Sequence, residues 1–343
     1  MAAGPFRITA QPSGRTFGAQ GGEAILAAAI RQGVGMPYGC RDGACGSCKC
    51  RMLEGAVNHG PHQSQALSAQ EEADGLILPC CAVPATDVVL ESPHITDEGA
   101  FPVRKMAARV IALERKASDV TLMKIRLPAN DPLRYRAGQY IDIILRDGFR
   151  RSYSMANAPH DGAELELHIR HMPGGRFTDH VFGAMKEKDI LRVEGPFGSF
   201  YLREDSDKPL ILLASGTGLA PIKALIEHMQ RQGIRRQATL YWGGRRLADL
   251  YLDGWVRERL ADMPQLRYVP VISDALAEDL WTGRTGFVHR AVMQDYPDLS
   301  GHQVYACGAP VVINAARAEY STRCKLPANA FFADSFITQA DSH

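Results

Sequence analysis

The sequence has almost no excess charge of either sign, because 39 Lys and Arg residues stand against 38 Asp and Glu. A chain without a basic excess has no general attraction to nucleic acid or to an anionic membrane, so we expect neither as a partner. Long apolar runs are also lacking: the longest, LILLASGTGLA, is too short to span a bilayer and contains turn residues. No basic segment followed by an apolar stretch opens the sequence, so we expect no secretion signal and a cytoplasmic location.

Cysteine is scarce, but four of the eight cysteines fall in one stretch, YGCRDGACGSCKC, residues 38–50. In a reducing cytoplasm such a cluster more often binds metal than forms disulfides. Cys40, Cys45 and Cys48 are separated by four and then two residues, which is plant-type iron–sulfur spacing and requires one more cysteine downstream. Either Cys80 or Cys81 could supply it.

Three other readings of the cysteines are weaker. A disulfide framework is unexpected in a cytoplasmic chain of this size. A zinc site prefers two separated Cys-x₂-Cys pairs, whereas Cys80 and Cys81 are adjacent and neighbours on an extended chain point to opposite faces. Unrelated buried cysteines would not reproduce the spacing. Around the cluster, the sequence predicts a helix over EAILAAAIRQG that ends at Gly33 and a capping box at SAQE, residues 68–71.

A middle segment, residues 104–204, follows a Pro- and Gly-containing linker at 93–103. Its short alternating apolar runs predict antiparallel strands that form a small barrel. In RRSYSMANAP, Arg151 and Tyr153 fall on one strand face, where a guanidinium suits pyrophosphate and an aromatic ring suits a planar heterocycle. The neighbouring hydroxyl of Ser154 suits a ring nitrogen. In HMPGGRFTDH, the start of a helix at 175–178 predicts an anion site.

The last segment, residues 205–343, alternates apolar strands with helices and predicts a doubly wound α/β domain. Its first strand runs into SGTGLAP, where Gly216 and Gly218 allow close approach of a phosphate and Pro221 suits the first helical position. After the second strand, Arg245 and Arg246 could hold a ribose 2′-phosphate. They could instead be solvated or pair with Asp249, which we favour.

Residues 1–92 resemble the plant-type [2Fe-2S] ferredoxins, which have a β-grasp fold. The resemblance implies that Cys40, Cys45, Cys48 and Cys80 bind the cluster, because the family places the last ligand just before a strand like AVPATDVVL. Cys50 and Cys81 are then bystanders. The 31 residues between Cys48 and Cys80 imply a longer loop around NHGPHQSQ.

The motifs R-x-Y-S and G-G-x-F-T resemble the FAD-binding barrel of the ferredoxin–NADP reductase superfamily. This resemblance implies that Arg151 binds the FAD pyrophosphate, that Tyr153 lies against the isoalloxazine, and that Ser154 lies near flavin N5. It also implies that the amides of the helix start contact phosphate; the residues concerned are Gly175, Phe177 and Thr178.

The same superfamily resemblance extends to the last segment. G-T-G-x-A-P implies that Gly216, Thr217, Gly218 and Pro221 bind the nicotinamide dinucleotide. C-G-x-P implies that Cys307 and Gly308 lie near nicotinamide C4. Near the C-terminus, D-x-F implies that Asp334 completes the flavin site and that Phe336 stacks on the flavin, although Phe336 could instead be a core residue.

The order of ferredoxin, FAD barrel and nicotinamide domain resembles the soluble iron–sulfur flavoprotein reductases. It implies an NADH-dependent enzyme, with NADPH not excluded, that passes electrons through FAD and a [2Fe-2S] cluster to a partner protein, either an oxygenase component or a deoxysugar dehydrase. Ser154, Cys307 and Asp334 would assist the hydride step, and the isolated chain would be a monomer. The alternatives are a general diaphorase that reduces flavin or ferric iron, and a redox sensor or carrier.

Overall fold

The computed structural model describes residues 5–92, 95, 101–130, 132–159 and 163–336. Contacts divide the chain into two compact units, one ending at Pro102 but also containing the chain from Asp334 onward, and the other spanning Val103–Ala333. The predicted barrel and nicotinamide segments share the second unit almost entirely. Most of the predicted linker at 93–103 lies outside the described residues. Within those residues, no helix combines the length and apolar character needed to cross a membrane.

The first unit is built on a mixed sheet with the strand order β2-β1-β7-β3-β5. β1 pairs antiparallel with β2 and parallel with β7, and buried Ile25 and Leu26 of α1 pack in one core with Ile8 and Leu90 of the sheet. This is the expected β-grasp arrangement. The elements are β1 (Phe6–Gln11), β2 (Arg15–Ala19), α1 (Ile25–Arg31), β3 (Cys50–Glu54), β4 (Val57–Asn58), α2 (Ala69–Ala73), β5 (Leu76–Ile77), β6 (Val83–Pro84) and β7 (Val88–Glu91).

Two local predictions in this unit are confirmed. Helix α1 is followed by Gly33 in the left-handed region, at φ 68°, a conformation that glycine adopts without steric cost. Helix α2 begins with a complete capping box, in which Ser68 Oγ accepts from the Glu71 N–H and Glu71 Oε2 accepts from the Ser68 N–H. Both signals could be predicted because they depend on residues only a few positions apart.

The second unit begins with a six-stranded antiparallel sheet in the order β11-β10-β13-β8-β9-β12. A bridge between Met155 and Leu167 joins the end of β11 to β12 and closes the sheet into a barrel around an apolar core. The elements are β8 (Arg104–Ala117), β9 (Val120–Arg126), β10 (Tyr140–Ile144), β11 (Arg150–Ser154), β12 (Glu164–Arg170), α3 (Arg176–Gly183) and β13 (Ile190–Phe197).

The remainder of this unit is a doubly wound domain with the strand order β17-β16-β15-β14-β18-β19. Strands β15, β16 and β17 follow β14 on one side of it, and the next strand, β18, lies on the other side. The strand order therefore reverses between β14 and β18. Ligands of such sheets bind at this crevice. The elements are β14 (Leu210–Ser215), α4 (Leu219–Arg231), β15 (Ala238–Gly244), α5 (Asp253–Asp262), β16 (Leu266–Ile272), β17 (Arg284–Thr285), α6 (Val288–Asp295), β18 (Gln303–Gly308), α7 (Pro310–Arg323) and β19 (Phe331–Ser335).

Candidate functional site

The four predicted cluster ligands lie in two pairs. The Cys40 and Cys45 thiols are hydrogen-bonded, and the backbone N–H groups of Cys40 and Ser47 both donate to Cys45 Sγ at 3.4 Å. Cys48 Sγ lies 3.3 Å from Cys80 Sγ. Two thiolates on one tetrahedral metal ion, with bonds of about 2.3 Å, lie about 3.7 Å apart. The second pair is therefore close to the spacing that a shared metal ion requires.

This paired arrangement fits a two-iron cluster. A [2Fe-2S] cluster takes two thiolates on each iron. The hydrogen bond with Cys40, together with the N–H donors, lowers the pKa of Cys45 although burial opposes this, and the same hydrogen bond raises the pKa of Cys40, so one thiolate of this pair is favoured.

The expectation that Cys80 and Cys81 point to opposite faces is wrong. The N–H groups of Cys81 and Ala82 both donate to the Leu78 carbonyl, at 2.9 and 2.8 Å, so this segment is a turn rather than an extended strand. The two sulfurs are consequently only 3.6 Å apart. Cys81 thus lies beside the predicted ligand set rather than away from it.

Strand β11 presents two chemically different faces. Arg150 and Ser152 both bond the buried carboxylate of Asp142 on one face. Arg151 and Tyr153 alternate with them, as the sequence predicts. Arg151 Nη1 donates to the Arg150 carbonyl at 2.7 Å, while its buried Nη2 has no hydrogen-bond acceptor among the described residues. A buried guanidinium nitrogen without an acceptor fits an anionic ligand such as a pyrophosphate.

The ring of Tyr153 lies beside the start of α3. Its centroid is 5.4 Å from that of Phe177, which is buried in the barrel core, so the Phe177 side chain is a packing group. The Thr178 hydroxyl is already hydrogen-bonded within the protein, because Oγ1 donates to the Met172 carbonyl at 2.8 Å. A Cβ at Gly175 would lie 2.5 Å from that hydroxyl. These residues therefore build the turn, and their contribution to an anion site is limited to the backbone N–H groups of the first helical turn.

Two glycine turns interlock at the switch point between β14 and β18. A Cβ at Gly218 would lie 2.1 Å from the Cys307 carbonyl oxygen, and a Cβ at Gly308 would lie 2.4 Å from that of Ser215. The predicted dinucleotide turn, including Thr217, and the buried Cys307 are therefore in direct backbone contact. Pro221 is the third residue of α4, not the first; a proline is tolerated there because first-turn N–H groups lack intrahelical acceptors.

Asp249 stabilises the loop after β15 through backbone hydrogen bonds, and not through the expected ion pairs with Arg245 and Arg246. Its Oδ2 accepts from the backbone N–H groups of Arg245 and Arg246, at 2.7 and 2.9 Å, rather than from their side chains. Its Oδ1 lies 3.2 Å from Arg170 Nη2 at the end of β12. The Arg246 guanidinium instead faces Asp279 and Glu278, while Arg245 is exposed.

A buried polar network joins the barrel to the nucleotide domain, and sequence reasoning missed it. His168 bonds Glu166 at 3.1 Å and Tyr251 Oη at 2.8 Å, and Lys223 Nζ lies 3.1 Å from Glu166 and 2.6 Å from Glu227. Burial opposes ionisation of Glu166, but the His168 hydrogen bond and the Lys223 charge lower its pKa to about 2. The only sequence signal was a lysine on the otherwise apolar face of α4.

The network reaches the dinucleotide turn through an aromatic contact. The ring of Tyr251 lies edge-on to that of Trp242, with centroids 5.3 Å apart, and Trp242 Nε1 donates to the Gly216 carbonyl at 2.9 Å. Residues of β12, α4 and β15 therefore fix the conformation of this turn together.

Asp334 and Phe336 lie at the end of β19 and just after it. Asp334 is buried and Phe336 is half-buried. By contacts both belong to the first unit. Their roles at the flavin stay predictions.

Three family models match consecutive parts of the chain. A 2Fe-2S iron-sulfur cluster binding domain matches residues 8–85, an oxidoreductase FAD-binding domain matches 107–201, and an oxidoreductase NAD-binding domain matches 212–318. The matches contain the cysteine cluster, the β11 motif and the interlocking glycine turns, respectively.

Curated relatives share this layout over nearly their whole length. The chain is 38% identical to CDP-6-deoxy-L-threo-D-glycero-4-hexulose-3-dehydrase reductase of Yersinia pseudotuberculosis, over 97% of this chain and 98% of the relative. It is 35% identical to terephthalate 1,2-dioxygenase reductase component 2 of Comamonas sp., over 94% of each. Among solved structures, the Amycolatopsis cytochrome P450 reductase GcoB superposes with a TM-score of 0.79 at 34% identity, covering 96% of this chain and 98% of that one.

Proposed function

The chain belongs to the ferredoxin–NADP reductase-type family of iron–sulfur flavoprotein reductases, and from this premise we propose that it supplies single electrons from NADH to a separate cytoplasmic oxygenase or deoxysugar dehydrase. It is an NAD(P)H-dependent oxidoreductase with FAD, [2Fe-2S] and NAD-binding domains that serves a partner enzyme. A cytoplasmic location agrees with eight cysteines, none of them in a disulfide. We also propose that the isolated chain is a monomer.

The observation that carries the proposal is the pairing of the cysteine thiols in a chain that also has a dinucleotide turn. When bound, the three groups supply the redox chemistry: NADH releases a hydride, FAD exchanges electrons in pairs or singly, and a [2Fe-2S] cluster takes one electron at a time. Cys40, Cys45, Cys48 and Cys80 would hold the cluster. An enzyme that only reduced small acceptors would not need these ligands.

For FAD, the proposed contacts begin with the unpartnered Nη2 of Arg151, which would bind the pyrophosphate. Tyr153 would lie against the ring, and Ser154 would hold a proton near its reactive nitrogen. The N–H groups of the turn from Gly175 would bind phosphate. For Arg151 and Tyr153 this assignment is supported by the alternation of β11, which places them on the face opposite to Arg150 and Ser152.

For the dinucleotide, the glycine turn at 216–218 would bind the pyrophosphate, and Cys307 with Gly308 would border the nicotinamide. The backbone contact between these segments supports one continuous site. We propose that NADH is preferred over NADPH. The carboxylates of Asp279 and Glu278 already face the Arg246 guanidinium, so this guanidinium is already paired and adds little attraction for a 2′-phosphate.

The test is an anaerobic titration of the purified protein, first with NADH and separately with NADPH, followed by absorbance and EPR. We expect NADH to bleach the flavin and then to produce the signal of a one-electron-reduced [2Fe-2S] cluster. We expect kcat/KM for NADH to exceed that for NADPH by at least about tenfold, which corresponds to about 1.4 kcal/mol. Protein that is yellow but free of iron and acid-labile sulfide would contradict the proposal and favour a general diaphorase.

A further inference from the structure

Cys81 is a fifth thiol within reach of the cluster position. The turn at residues 79–81 brings its sulfur to 3.6 Å from Cys80 Sγ, which is itself 3.3 Å from Cys48 Sγ. The main chain holds Cys81 in this position, since its N–H donates to the Leu78 carbonyl at 2.9 Å and its carbonyl accepts from the Gly60 N–H at 3.1 Å.

The cysteine loop leaves room for this sulfur. Gly43 has a φ of 79°, and a Cβ at this position would lie 2.8 Å from Cys81 Sγ, 2.8 Å from His62 Cβ and 2.9 Å from the Pro61 carbonyl oxygen. Any other residue at position 43 would therefore collide with Cys81 as well as adopt a strained backbone. Cys50 differs: it lies in β3, packs against the apolar core of the first unit and serves as a matched control.

We propose that Cys81 is a reserve ligand that binds the same iron as Cys80 when the Cys80 sulfur is absent or released. This inference rests on the proposed function, in which a [2Fe-2S] cluster occupies the site. In the exchange the bond between iron and Cys80 Sγ breaks, the Cys81 thiol gives up its proton, and a bond between iron and Cys81 Sγ forms. No electron is transferred, and the released Cys80 thiolate takes up a proton.

The distance between the Cys80 and Cys81 sulfurs allows this exchange without a large movement of the main chain. Rotation of a cysteine about its Cα–Cβ bond between staggered positions moves the sulfur by about 3 Å. The sulfur of Cys81 starts 3.6 Å from the position it would replace, so a rotamer change and a small adjustment of the turn bring it to bonding distance.

The experiment compares Cys80→Ala, Cys81→Ala, the double variant, Cys48→Ala and Cys50→Ala in the full chain, purified anaerobically. Alanine is chosen because a serine hydroxyl could itself bind iron. The readouts are iron, acid-labile sulfide and the EPR spectrum after dithionite reduction, with FAD content as a check on folding. We expect Cys80→Ala to keep about tenfold more iron than the double variant, with shifted g values. We expect Cys48→Ala to hold less iron than wild type, and Cys81→Ala and Cys50→Ala to keep the wild-type spectrum.

Two outcomes would overturn the inference: a Cys80→Ala protein as free of iron as the double variant, or loss of the cluster in Cys81→Ala with an unchanged spectrum in Cys80→Ala. If Cys80→Ala fails to fold, Cys80→Ser compared with Cys80→Ser/Cys81→Ala decides instead, because only the first retains a thiol at the turn. Failure of the proposed function has a different signature, namely wild-type protein without iron or acid-labile sulfide.

Discussion

The guanidinium of Arg151 leads to a prediction about a single side chain. One of its guanidinium nitrogens is buried without an acceptor, which is costly unless a ligand supplies one. Replacing Arg151 by alanine should therefore weaken FAD retention. A hydrogen bond involving charged groups contributes about 1.5–3 kcal/mol, so the dissociation constant for FAD should rise by about 10- to 150-fold. Fluorescence titration of the apoprotein with FAD measures this.

The control for that experiment is Arg126→Ala. Arg126 also lies on a barrel strand, but its guanidinium is exposed and pairs with Glu164 on the surface. Such pairs contribute little, so FAD affinity should stay at the wild-type value. Equal FAD affinity in Arg151→Ala and wild-type protein would show that the pyrophosphate does not bind at Arg151.

At the scale of elements, the contact between the β14 and β18 turns requires glycine at position 218. A methyl group there would lie 2.1 Å from the Cys307 carbonyl oxygen, so Gly218→Ala must push the two turns apart. We expect a loss of about 1–3 kcal/mol in the free energy of unfolding, as for other overpacked sites, and a raised KM for NADH with FAD content unchanged. Thermal unfolding and steady-state kinetics measure the two effects.

Gly254 provides the comparison for that variant, because a Cβ at this position would have no neighbour within 4 Å. Gly254 lies in α5, where alanine is favoured over glycine, so Gly254→Ala should be neutral or slightly stabilising. A KM that rises equally in both variants would show that the packing of the glycine turns does not govern dinucleotide binding.

The elements that could be predicted from sequence are those with short-range signals. The cysteine spacing, the Ser68 capping box, the glycine pair before α3 and the apolar strand before Gly216 each depend on residues within a few positions of one another. Chain geometry at that range follows from residue type, whatever the rest of the fold does.

The features that escaped prediction depend on partners distant in the chain. Lys223 is buried because Glu166, more than fifty residues earlier, supplies a carboxylate. Asp249 is shared between its own loop and Arg170 of the barrel. The turn that brings Cys81 beside Cys80 is local, but the apparent strand pattern around it suggested an extended chain. The sequence pattern predicts which helix or strand a residue belongs to. Tertiary packing determines which charged side chains form ion pairs.

At the scale of the whole molecule, the two redox stages should be separable, because the ligands of the cluster and the nucleotide turn lie in different compact units. The double variant Cys48→Ala/Cys81→Ala should lose the cluster, since it removes both thiols that contact Cys80 among the described residues. NADH-driven reduction of ferricyanide, which can take electrons from flavin directly, should stay within about twofold of wild type, whereas reduction of cytochrome c, a protein acceptor, should fall at least about tenfold. Cys50→Ala, which alters a core thiol outside the ligand set, should match wild type with both acceptors. If the iron-free double variant reduced cytochrome c at the wild-type rate, electrons would be leaving from the flavin without passing through the cluster, and the enzyme would be acting as a general diaphorase.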